Sequence, residues 1–247
     1  MTEPSSAVRS ELAPTGTLRV GINLSNFLLT RTDPKTGEYA GVAVDLGREL
    51  GRRLGVPVEI MAYESPGKLA DAAKSGVWDV GFLGAEPQRA NEIDFTAAYV
   101  EIEATYLVPP GSPLNTIADV DREGVRIAIS GKSAYDLYLT RHLKHAQLVR
   151  EQGADNVFKR FVDDKLDALA GLKPRLVTDQ ENLPGSRILD GRFTAVQQAI
   201  GTPKGRAAGA GYLREFAENI KASGLVAQAI ENNNVRGLTV APAGSPS

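Results

Sequence analysis

The chain has 247 residues, 42% of them hydrophobic and 23% charged, with a formal net charge of -2. That length carries a good core as one large domain or two small ones, in a globular rather than disordered mixture. The absence of cysteine excludes disulfides, thiolate chemistry and cysteine-ligated metal sites, and neither the near-neutral charge nor the 6% aromatic content suits a nucleic-acid partner.

Residues 1–14 read as a loose arm with a short helix near Val8 to Leu12. A strand over Thr17 to Ile22 ends in the polar turn Asn23-Leu24-Ser25-Asn26, and Asp33 to Glu38 is a turn-rich exposed loop. Val42, Leu46, Leu50 and Leu54 recur at helical spacing and predict a helix that stops at Gly55. Its internal Gly47 and Gly51 each cost roughly 0.8–1 kcal/mol of propensity, so this helix needs tertiary packing. A strand over Val56 to Ala62, a helix over Pro66 to Ser75 and a strand over Asp79 to Leu83 follow, then a strand over Ala104 to Val108. Such alternation predicts a parallel α/β sheet.

Pro109-Pro110-Gly111-Ser112-Pro113 is the strongest punctuation in the chain and marks an expected domain crossing. The alternation then restarts: strand Arg126 to Ser130, helix Ser133 to Leu143, strand Ala146 to Val149, helix Ala154 to Asp163, and strands Asp167 to Ala170 and Arg187 to Leu189. The segment Val196 to Thr202 and the helices expected at 205–222 and 223–232 are too short for a third domain, so they return to the first lobe. The expected organisation is lobe 1 over 15–107 plus 195–238, lobe 2 over 108–194, and flexible ends at 1–14 and 239–247. No internal repeat stands out. No run of about 18 apolar residues occurs, so no membrane insertion is expected. The first ten residues lack the basic region and apolar core of a secretory leader, so retention in the cytoplasm is expected unless a leader has been removed.

The residues that carry chemistry sit at strand ends, where open α/β sheets place their ligands. Arg89 follows the strand ending at Leu83, and its guanidinium suits a carboxylate held by two parallel hydrogen bonds. The other reading is a surface arginine paired with Glu86 or Glu92. Ser133, after Gly131 and Lys132, starts a helix whose first-turn amides favour an anion; a plain helix cap is the alternative. Asn23, Asn26 and Phe27 offer polar contacts and an aromatic wall, or an ordinary turn with Phe27 in the core. Glu86 orients Arg89 or accepts a ligand amine. His142 and His145 lack an acidic partner at metal spacing, and no nucleophile elbow or dinucleotide loop is present. No catalytic residue, metal or cofactor is expected.

Several motifs in order resemble the bacterial family 3 extracellular solute-binding proteins, the amino-acid receptors of ABC importers. They are Gly41-Val42 to Asp45-Leu46, Trp78-Asp79-Val80, Glu86-Pro87-Gln88-Arg89 with Asp94-Phe95-Thr96 to Tyr99, Gly131-Lys132-Ser133, Asp167-Ala168, and Ala199 to Gly205. The resemblance, running from Gly16 to Gly237, implies a two-lobed type 2 periplasmic-binding-protein fold with two crossing segments forming a hinge that closes on ligand. It also implies a periplasmic monomer, a small carboxylate ligand and an ABC permease partner. By position, Arg89 resembles the arginine that grips the α-carboxylate, Ser133 its second-lobe helper, Phe27 the aromatic wall, and Gly84 a first-lobe ligand contact. Such receptors place an acid for the α-ammonium where this chain has Leu172, and a threonine where it has Glu86. Two readings stay open: Glu86 replaces the missing acid, or the ligand is an organic acid without an amine, with Arg175 taking a second carboxylate. Dehydratases on the same fold use a glutamate as proton donor where this chain has Arg175, which stays protonated and cannot serve as that acid.

Overall fold

A computed structural model describes residues 3–244. The elements in chain order are α1 (Ser6–Leu12), β1 (Leu18–Asn23), β2 (Arg31–Thr32), β3 (Tyr39–Ala40), α2 (Val42–Leu54), β4 (Val58–Tyr63), α3 (Pro66–Asp71), β5 (Val80–Gly84), β6 (Ile93–Phe95) and β7 (Val100–Val108). They continue with β8 (Arg126–Ser130), α4 (Ala134–His142), β9 (Gln147–Glu151), α5 (Ala154–Asp163), β10 (Ala168–Leu172), α6 (Lys173–Glu181), β11 (Arg187–Ile188), β12 (Thr194–Pro203), α7 (Ala207–Ala222), α8 (Leu225–Asn232) and β13 (Thr239–Val240).

The chain forms two compact units, one reaching Glu101 and resuming at Gln197, the other spanning Ile102–Val196. It passes between them along β7 and back along β12. The units change after Glu101 and before Gln197, within β7 and β12, rather than after 107 and before 195, and β7 ends at Val108, ahead of the Pro109 to Pro113 cluster. The later residues of β7 pair with β10, which puts Pro109 to Pro113 inside the second unit.

In the first unit β1 pairs in parallel with β4 on one side and β5 on the other, and β12 joins β5 antiparallel. α2 packs on the face of Val20 and Phe82, where Gly47 lies so close to Val20 that a Cβ would crowd it, and Gly51 meets Val58 in the same way. The two glycines that weaken this helix therefore let it approach the sheet. The opposite face carries Leu69 of α3 with Trp78, Leu83 and Ile93.

The second unit repeats this path with different residues. β8 pairs in parallel with β9 and β10, and β10 pairs antiparallel with β7. Leu139 of α4 packs on Ile127, Ile129, Ala168 and Ala170, whereas Val157 and Phe161 of α5 and Leu176 of α6 pack on Ala128 and Leu169 of the other face. The order β1-α2-β4-α3-β5 thus recurs as β8-α4-β9-α5-β10.

The ends are better anchored than the sequence suggests. Val8 and Leu12, four residues apart on α1, are buried. Arg9 Nε donates to the Leu54 carbonyl at the end of α2 (3.0 Å), and Glu11 accepts from the Gly209 amide in the first turn of α7 (2.7 Å), each charge opposing a helix dipole. Near the other end β13 pairs with Val100 and Glu101, and the Ala241 amide donates to the Tyr99 carbonyl. Of the ends expected to be flexible, residues 1, 2 and 245–247 lie outside the described residues. Helix α6 was not anticipated, although Pro174 at its start is a recognised opening signal.

Candidate functional site

In open α/β sheets a ligand crevice forms outside the carboxyl ends of neighbouring strands whose continuations leave on opposite faces. Each unit has one such point. In the first it lies at the ends of β1 and β5, where the chain departs toward α2 on one face and toward Ile93 on the other. In the second it lies at the ends of β8 and β10, which lead to α4 and α6 on opposite faces.

Gly84, Glu86 and Arg89 occupy the end of β5. Arg89 opens a short 3-10 turn, Arg89–Asn91, and its amide donates to the Glu86 carbonyl at 2.9 Å. The side chain is not a surface arginine: the residue is 6% exposed, and Nη1 donates to the Gly84 carbonyl at 2.7 Å. Burial lowers its pKa to about 10 against the opposing charges of Glu86 and Asp71, so it remains cationic at neutral pH. Glu86 is half-buried at the same strand end.

The turn after β1 ties itself together. Asn23 Oδ1 accepts from the Ser25 amide (3.1 Å) and hydroxyl (2.8 Å), and the Thr30 hydroxyl donates to the Asn23 carbonyl at 2.7 Å. Asn26 is buried, yet its Oδ1 meets no hydrogen-bond partner among the described residues. A buried acceptor left unsatisfied costs about 1–3 kcal/mol, so a donor brought there would be stabilising. Phe27, 48% exposed, is not packed in the core.

In the second unit Ser133 caps α4, its hydroxyl accepting from the Asp136 amide at 3.1 Å. First-turn amides lack intrahelical partners, so α4 and α6 both begin with donors at the same sheet edge. Lys132 is exposed and stands between Gly131 and Ser133. Leu172 is the capping position of α6 and packs with Tyr135 and Phe193 against Ala104, Ala134 and Val196. The edge is therefore apolar there. Arg175 spends its Nε on Asp179 (2.9 Å) and its Nη2 on Asp155 (2.7 Å). The neighbouring Glu103 is met by Lys173 at 3.1 Å and Arg192 at 3.4 Å.

Each candidate thus lies at a strand end of its own unit. The histidines have separate partners: His142 stacks on Tyr138, while the backbone amide of His145, in the loop beyond α4, donates to Asp121, which precedes β8. Two residues near the strand ends were not foreseen. Asp136 follows Ser133 at the spacing of a capping box, a signal present in the sequence. Arg150, which pairs with Asp136 at 3.0 Å, comes from β9 and gives no local sign.

The glutamine-binding protein of Geobacillus stearothermophilus is 25% identical over 203 residues, covering 76% of this chain and 73% of that protein. Among solved structures, a solute receptor for L-cysteine from Neisseria gonorrhoeae superposes with a TM-score of 0.77 at 20% identity, covering 94% of this chain and 96% of that one. An amino acid ABC transporter substrate-binding protein from Streptococcus pneumoniae, bound to L-arginine, gives a TM-score of 0.75 at 17% identity, covering 96% and 100%. Both structures share the two-lobed α/β fold. All three relatives are named for binding, not for catalysis. Residues 18–233 match the model of the bacterial extracellular solute-binding proteins, family 3, and the chain belongs to that family.

Proposed function

We propose that this protein binds a small monocarboxylate that lacks an amine, as the receptor of an ABC importer working as a monomer outside the cytoplasmic membrane. The observation that carries the reading is a buried guanidinium, Arg89, held by the Gly84 carbonyl at the carboxyl end of β5. A fork fixed in that way is preorganised for a carboxylate. Ser133 and the first-turn amides of α4 supply the second unit's share, and closure of the units on the anion follows from its tighter binding to the closed state. The edge at Leu172 favours an amine-free ligand, because an ammonium set against Ala104, Ala134 and Phe193 would lose solvation without gaining a charge partner. Arg175 is left out of the contact set, since its Nε and Nη2 already serve Asp179 and Asp155.

A second reading, an amino-acid ligand, draws on Glu86, which is half-buried beside Arg89 and offers an ammonium a carboxylate from the first unit. A thermal-shift screen of amino acids against matched keto and hydroxy acids separates the two. Stabilisation by amino acids alone reverses the preference. With the ligand found, Arg89→Ala should weaken binding by roughly 2–5 kcal/mol in calorimetry, and a change below about tenfold overturns the carboxylate assignment. Fractionation of the native protein tests the compartment. Recovery only with the cytoplasm would make it a cytoplasmic sensor or scavenger.

A further inference from the structure

The turn that carries Ser133 holds one residue in a backbone state that side chains disfavour. Lys132 has φ of 59°, in the left-handed region where a Cβ crowds the following carbonyl. Asp136 holds it there: Oδ2 accepts the Lys132 amide at 2.8 Å, while the Asp136 amide is engaged by Ser133 Oγ at 3.1 Å. The carboxylate is buried, and its Oδ1 is met by Arg150 Nε at 3.0 Å and the Thr140 hydroxyl at 3.3 Å. Arg150 also donates from Nη2 to Thr140 at 2.8 Å. On the other side of the turn, a Cβ on Gly131 would meet only the tip of the exposed Gln152 side chain, so the turn is held by Asp136 rather than by crowding at Gly131.

A carboxylate is the wrong sign to contact an anion. Here Arg150 balances its charge, and its oxygens are spent on the backbone and on Thr140 rather than on a guest. We propose that Asp136, backed by Arg150, is a positioning residue that sets the Gly131–Ser133 turn in its anion-binding shape without touching the ligand. The proposal rests on the carboxylate-binding reading above.

A double-mutant cycle tests it: Asp136→Ala, Lys132→Gly and the pair, each assayed for affinity by calorimetry and for folding by circular dichroism. Asp136→Ala should fold and bind about tenfold more weakly, the cost of a left-handed lysine no longer held in place. In the Lys132→Gly background the same change should cost less than about twofold, because glycine adopts positive φ freely. A general structural role would lower the melting temperature equally in both backgrounds and leave the affinity effects uncoupled. That result, or wild-type affinity in folded Asp136→Ala, overturns the proposal. If Asp136→Ala does not fold, Asp136→Asn runs the same cycle. It keeps an acceptor for the Lys132 amide but loses the charge that holds Arg150, so about a threefold loss is expected, again removed by Lys132→Gly. A penalty that persists there overturns the proposal. A wild type that binds no carboxylate brings down the functional reading and this one together, whereas binding through Arg89 with no coupling removes this one alone.

Discussion

Asp79 stands just before β5, at the end of the strand opposite Gly84, with its side chain fully buried. Oδ1 accepts from Arg19 Nη2 at 2.8 Å and Arg206 Nη1 at 2.9 Å, and Oδ2 accepts from Arg19 Nε at 2.8 Å and its backbone amide at 3.1 Å. Asp79→Ala removes the carboxylate that both guanidiniums share, leaving Arg19 only the nearby charge of Glu59, and Arg206 then sits unbalanced at the positive end of α7. Breaking a buried pair costs about 3–5 kcal/mol. The arginine side chains are 21% and 18% exposed, so water can reach them in part and the cost falls near the lower figure. At 2–4 °C per kcal/mol, the melting transition of the first unit should drop by roughly 6–12 °C in calorimetry. Replacing the cluster with apolar residues (Arg19→Met, Asp79→Leu and Arg206→Met together) should cost less than the single change, because no charge is left buried without a partner. A shift below about 2 °C for Asp79→Ala, or a triple variant less stable than the single one, would refute the reasoning. Ligand affinity well below the transition should not change, since the candidate contacts lie at the other ends of the strands.

Gly51→Ala should gain about 1 kcal/mol of helix propensity yet destabilise the protein by about 1–2 kcal/mol net in urea titration, since the new methyl runs into Val58 and approaches the Val56 carbonyl oxygen to 3.2 Å. A stabilised variant would mean that α2 can shift without cost. The hydrogen bond from Arg52, opposed by burial and assisted by Arg53, holds Glu49 at a pKa of about 2. Its contribution to stability is therefore complete above its ordinary value of 4.5 and drains away as the pH falls toward 2. Arg52→Ala should flatten the loss of stability between about pH 5 and about pH 3, and a slope equal to that of the wild type counts against this ion pair.

Strand–helix alternation, the apolar stripe of α2, the opening of α4 at Ser133 and the strand-end position of Arg89 were all legible, because each depends on residues adjacent in the chain or one helical turn apart. What distant segments contribute was not. Arg89 reads equally well as a surface ion pair until its buried contact with the Gly84 carbonyl is seen. Gly47 and Gly51 look like defects in a helix until Val20 and Val58 arrive beneath them. Helix α6 has a weak apolar stripe and gains support from Arg175 reaching Asp155 and from Leu176 packing against Gly171. The recurrence of one strand–helix path in both units leaves no repeat in the residues, since many apolar side chains fill the same layer equally well. Period and turn chemistry are properties of neighbours, so consecutive letters record them. Burial, charge pairing and the end of a domain depend on which remote segment packs alongside, and only the folded chain brings those partners together.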